Sequence, residues 1–142
     1  MKKILFCGNV NSEWDTLIDR VGKLQSSVHG PFDGLFCVGT FFRSEDEFFD
    51  ISSRINFPIP TFVMDRTGYS EDFNPPRNVH FFKSVGIESV LGTFTVCTLS
   101  SSASAQEVQT LNAIVEKAGY KGCDLLLTSE WPKDVLQLLP ER

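Results

Sequence analysis

The chain has 142 residues, 42% of them hydrophobic and 22% charged, with a formal net charge of -5. That length supports one domain with an apolar core, here 1–142. The acidic balance excludes a dominant phosphate-binding surface, because nonspecific nucleic-acid affinity rests on Lys and Arg; RNA stays open as a ligand that the charge does not support.

The first apolar run, Lys2 to Cys7, leads into Gly8-Asn9-Val10-Asn11, the outline of a buried strand ending in a turn. Glu13 to Gln25 then carries Trp14, Leu17, Ile18, Val21 and Leu24 at helical spacing, with Ser12 as the expected cap and Gly30-Pro31 as the break. Gly34 to Val38 is a second strand, ended by Gly39. Ser44 heads an acidic stretch that predicts a helix ending before Pro58. Pro60 to Met64 predicts a third strand, and Asp65 to Arg77 a loop. Asn78 to Phe82 and Gly92 to Leu99 are strand-like, and Gly86 and Gly92 suggest turns between them, so this pair predicts a local antiparallel excursion. After a polar loop, Ser100 to Ser104, the segment Ala105 to Ala118 has Val108, Leu111, Ile114 and Val115 at helical spacing. Cys123 to Thr128 is the last strong apolar run, and Pro132 opens an expected final helix.

Continuous apolar strands alternating with helices predict an α/β fold, a mostly parallel sheet covered by helices on both faces. The 13 Phe residues, several in adjacent pairs, agree with two covered faces, since neighbouring strand side chains point to opposite sides. In such sheets ligands bind beyond the carboxyl ends of the strands. The tips to inspect are therefore Gly8 to Asn11, Gly39 to Phe42, Met64 to Tyr69, Ser100 to Ser102 and Thr128 to Pro132.

Those tips are poor in chemistry. They offer the neutral amides Asn9 and Asn11, the hydroxyls of Thr40, Thr67 and Ser129, and two carboxylates on separate loops, Asp65 and Glu130. A two-metal phosphoesterase centre needs several carboxylates and imidazoles to neutralise its cations. Neither a nucleophile elbow nor a P-loop is present, and Cys7 and Ser129 lack a His partner. His29, His80, Asp15 and Asp33 occupy positions that structural roles explain. The four cysteines (Cys7, Cys37, Cys97 and Cys123) form no metal-binding spacing and read as buried thiols of a reducing compartment. No segment has the length of a signal peptide's apolar core or of a membrane span, so an intracellular protein with no membrane partner is expected.

Three stretches carry a resemblance: Cys7-Gly8-Asn9-Val10, Phe32 to Phe42 (FDGLFCVGTFF), and Leu126 to Lys133 (LLTSEWPK). Together, and with Pro58 to Val63 and Lys121 to Asp124 in the same order, they resemble the N-terminal domain of the CwfJ family. These are splicing-associated relatives of the RNA lariat debranching enzyme. The resemblance implies a calcineurin-like metallophosphoesterase-type fold; the family's domain is longer, so either a fragment or a shortened member is expected.

It also implies where metal ligands would stand. Active metallophosphoesterases carry Asp-x-His after the first strand, and this chain has Asn9-Val10-Asn11. Gly-Asp after the second is Gly39-Thr40, Gly-Asn-His-Glu after the third is about Arg66 to Tyr69, and a His near the last strand is Ser129. Asn9, Asn11, Thr40, Thr67 and Ser129 are thus degenerate metal-site positions, and no metal, cofactor or catalytic residue is expected. The resemblance implies a non-catalytic interaction domain, a pseudoenzyme, in mRNA splicing and intron lariat turnover. Its expected setting is the nucleus, with spliceosomal or debranching-enzyme proteins as partners. Trp131, Pro132, Lys133, Phe41, Phe42 and Arg66 are the expected contact residues. The alternative is a divergent metal-dependent phosphodiesterase or ribonuclease, with one metal held by Asn9, Asn11 and Asp65 or Glu130. A third is a Rossmann-like domain binding a phosphorylated ligand through the amides after Gly8 and Gly39.

Overall fold

In the computed structural model, the residues described are 1–44, 47, 54–64, 75–101 and 103–129. Four short strands, β1 (Ile4–Cys7), β2 (Gly34–Val38), β3 (Thr61–Met64) and β4 (Val79–Phe81), form a parallel sheet in that order. Helix α1 (Trp14–Gln25) connects the first two. A second sheet joins β5 (Val85–Val90), β6 (Phe94–Leu99) and β7 (Leu125–Thr128): β5 and β6 are antiparallel, while β6 and β7 are parallel. Helix α2 (Ala105–Val115) links β6 to β7 and packs along β5. The expected α/β fold with a mostly parallel sheet is what forms.

Side-chain alternation sorts the core into two layers. Leu5, Cys7, Leu35, Cys37, Val63, Val79 and Phe81 face Trp14, Leu17, Ile18 and Val21 of α1. Ile4, Phe36, Val38, Phe62, Met64 and Phe82 face Val90, Phe94, Val96, Leu125 and Leu127. The second sheet, not a helix, therefore covers the other side of the parallel sheet. The Phe81-Phe82 pair divides between the layers, one ring to each. Phe36 is fully buried at the centre of the second layer, with the rings of Phe62 at 5.1 Å, Phe6 at 5.6 Å, Phe82 at 6.0 Å and Phe94 at 6.2 Å.

Two aspartates start strands in the same way. Asp33 accepts from the Lys3 N–H through its carboxylate at 2.7 Å and returns its own N–H to the Lys3 carbonyl at 2.7 Å. Asp124 repeats this on Thr95, at 2.7 and 2.9 Å. Each extends a parallel ladder by one residue, which is the structural role expected for Asp33.

Three expectations are corrected. The antiparallel partner of β6 is β5, and β4 instead pairs with β3 at the edge of the parallel sheet. Gly86 lies inside β5 rather than in a turn; only Gly92, with φ +92°, makes one. Ser12 does not cap α1. Glu13 holds the capping position without a side-chain bond, and the Ser12 hydroxyl turns away to the Glu47 carboxylate. The helices expected after Ser44 and at Pro132 fall largely or wholly outside the described residues.

Candidate functional site

The carboxyl ends of β1 and β2 carry the loops where the resemblance places metal ligands. These loops are strapped directly to each other. The Asn9 side-chain carbonyl accepts the Thr40 N–H at 2.8 Å. Asn11 N–H donates to the Thr40 carbonyl at 3.0 Å, and Ser12 N–H to the Phe41 carbonyl at 2.9 Å. Gly39 N–H reaches across to the Met64 carbonyl at 3.1 Å, tying in β3.

Glycine is required at position 39. Its φ is +96°, and a Cβ there would lie 2.0 Å from Asn9 Oδ1. The amide thus sits in the space that a side chain at 39 would fill. Asn11 and Ser12 also adopt left-handed backbone, with φ of 48° and 63°, which turns the chain from β1 into α1.

Beyond Ser12 the strap continues as a polar cluster. Its hydroxyl donates to Glu47 and accepts the Arg43 N–H at 2.9 Å. The hydrogen bond from Ser12 holds the Glu47 carboxyl below its usual range; slight burial opposes this, and Arg43 adds to it. The Arg43 guanidinium meets Glu13 at 2.6 Å, an exposed pair of small energetic weight.

Ser129 follows the same logic on the second sheet. Its hydroxyl accepts the Ser101 N–H at 2.8 Å and lies 3.2 Å from the Ser101 hydroxyl. So Asn9, Asn11 and Thr40 come together, while Ser129 is engaged with Ser101 of the β6 tip. Thr67, Asp65, Arg66, Glu130, Trp131, Pro132 and Lys133 lie outside the described residues. His80 is not at a tip: it projects from β4 between Phe62 and Phe82 and bonds Glu88 of β5 at 2.6 Å, bridging the sheets.

Phe41 and Phe42 do not form a contact surface. They are 1% and 8% exposed and pack in the layer under α1, with Trp14, Phe57 and Phe81 around them. The reason is position: after Gly39 the chain folds back over the β2 and β4 ends, and both rings are drawn into the core. Their indole neighbour Trp14 has a buried N–H with no hydrogen-bond acceptor among the described residues. Its ring stands edge-on to Phe42 at 5.8 Å, a geometry in which an N–H can favour an aromatic face.

Below the strap two thiols meet. Cys7 and Cys37 are register partners on adjacent strands. A hydrogen bond from Cys37 draws the Cys7 thiol down to about 6; burial opposes the shift and the Arg20 charge assists it. Cys37 is pushed the other way by the same bond and by burial. No periodic signal along the chain marks this pair, because it depends on the β1–β2 register.

The described donors do not fit a metal pair. Asn9, Asn11, Thr40 and Ser129 are neutral, and the side chains of Asn9 and Ser129 are committed to neighbouring backbone. Among the described residues, no three His, Cys, Asp or Glu side chains are grouped to share an ion.

Fold and site together define an α/β protein of two packed sheets whose strand-end loops are closed on one another by uncharged side chains. Over 94% of its length the chain is similar to a CWF19-like protein 1 homolog of Caenorhabditis elegans, at 32% identity. It is similar over the same share to the Zinc finger CCCH domain-containing protein 64 of Arabidopsis thaliana, at 31%, and to the human CWF19-like protein 1, at 30%. The chain spans 27–29% of the length of these relatives. No family model matches it. The likeness to proteins of this name, spread over nearly the whole chain, supports the CwfJ/CWF19 family.

Proposed function

We propose that this chain is a metallophosphoesterase-like interaction domain without catalytic activity, serving a splicing-associated protein of the CWF19 type in the nucleus, in intron lariat turnover and the late spliceosome. The observation that carries this reading is the Asn9–Thr40 strap. A side chain at a position where the resemblance implies a metal-binding carboxylate instead closes one loop on the next over a Cβ-free Gly39. Two divalent cations a few ångströms apart cannot be held by neutral amides and hydroxyls. The two packed sheets, each carrying a helix, support the scaffold part of the reading.

Contact with spliceosomal or debranching-enzyme proteins is assigned to Trp131, Pro132, Lys133 and Arg66, because Trp and Arg dominate the energetics of interfaces. Phe41 and Phe42 are withdrawn from that set. The test is elemental analysis of the purified chain together with assays on linear and branched RNA in added Mn²⁺. Metal well below one ion per chain and no cleavage are expected. Stoichiometric Mn, Fe or Zn, with cleavage lost in Asn9→Ala, would make it a divergent phosphodiesterase. Capture of partners from nuclear extract, reduced in Trp131→Ala, tests the contact itself.

A further inference from the structure

Cys7 closes β1, and Cys37 lies directly opposite it on β2, both facing the α1 side of the sheet. Adjacent strands run about 4.8 Å apart, within the Cα separation of roughly 4.4–6.8 Å that a disulfide spans. Each side chain perturbs the titration of the other, as neighbours on the ladder would. Cys7 is partly accessible and Cys37 is buried. One sulfur can therefore meet a small solute, and the other waits beside it, sheltered.

We propose that Cys7 and Cys37 are a peroxide-responsive dithiol whose oxidation cross-links β1 to β2 at the root of the Asn9–Thr40 strap. The oxidant is a hydroperoxide. The Cys7 thiolate attacks one peroxide oxygen, the O–O bond breaks, and Cys7 becomes a sulfenic acid; the departing hydroxide takes up the proton that the Cys7 thiol had released and leaves as water. The Cys37 sulfur then attacks the Cys7 sulfur. The S–O bond breaks, and the departing hydroxide takes the Cys37 proton and leaves as a second water. Two thiols and one hydrogen peroxide give one disulfide and two waters, with two electrons passing from sulfur to oxygen.

The lowered Cys7 thiol supports the first step, since a downward shift favours the nucleophilic thiolate. The chain holds its own comparison. Cys123 likewise perturbs Cys97, but the Cys97 thiol is pushed up, chiefly by burial.

The test treats the reduced 142-residue chain with a small excess of hydrogen peroxide at neutral pH, alkylates free thiols, and maps peptides without reduction. We expect a Cys7–Cys37 linked peptide pair about 2 Da lighter than its reduced components, formed before any Cys97–Cys123 link and lost with dithiothreitol. In Cys37→Ala, a dimedone adduct should appear on Cys7. Recovery of both Cys7 and Cys37 as alkylated thiols would overturn the proposal. So would a Cys97–Cys123 link formed while they stay reduced, or Cys7 driven to sulfinic acid without the link. The wild-type map decides even if the variant does not fold.

Discussion

Asn9 and Gly39 act as a unit, one supplying the acceptor and the other the room for it. Asn9→Ala removes a bond to a partly exposed N–H, so a cost of about 1 kcal/mol is expected in urea unfolding. Gly39→Ala should cost more, because it meets Asn9 Oδ1 and also places a Cβ on left-handed backbone, itself worth about 1–2 kcal/mol. In the Asn9→Ala background the collision is gone and the cost of Gly39→Ala should shrink toward that backbone term, a coupling that a double-mutant cycle reads directly. Glu47 carries a pH signature. The Ser12 hydrogen bond holds its folded carboxyl below the ordinary carboxylate range, so its stabilisation is present above the unfolded pKa and lost as pH falls through the folded one. Melting curves through the acid range should therefore show a shallower decline for Glu47→Gln than for the parent.

Among the elements, the two helices begin differently. Ser104 accepts the Glu107 N–H at 3.2 Å, and Glu107 returns a bond to the Ser104 N–H at 2.7 Å, a reciprocal cap. The Ser-x-x-Glu spacing is plain in the sequence, although composition alone marks the segment only as a polar loop. Ser104→Ala should cost about 1 kcal/mol, measurable by urea unfolding. At α1 the local pattern points to Ser12 as the cap, but Glu47, distant in sequence, competes for its hydroxyl and takes it. Strand β5 was hidden for a related reason. In Val85-Gly86-Ile87-Glu88-Ser89-Val90, the glycine and the polar residues suppress the apolar signal. Glu88 is tolerated because His80 of the facing sheet receives it.

For the molecule as a whole, stability is concentrated where the sheets meet. Phe36 is surrounded by four other aromatic rings and has no exposed surface. Phe36→Ala should cost about 3–5 kcal/mol, a large part of a domain's typical ~5–15 kcal/mol, and chemical denaturation would show it as an early midpoint. Two adjacent Phe pairs lie among the described residues, and layer settles the position of each: Phe81 and Phe82 separate across the parallel sheet, whereas Phe41 and Phe42 enter the same layer together.

Local periodicity and residue type were enough to place β1, β2, β3 and the two helices α1 and α2, and to mark Asn9, Asn11, Thr40 and Ser129 as uncharged. The second sheet that seals the far face, the closure of Asn9 on Thr40 and the meeting of Cys7 with Cys37 emerge only when the strands are assembled. Those outcomes depend on register and on which distant groups compete for a donor or an acceptor, and such contacts leave no trace in the spacing of neighbours along the chain.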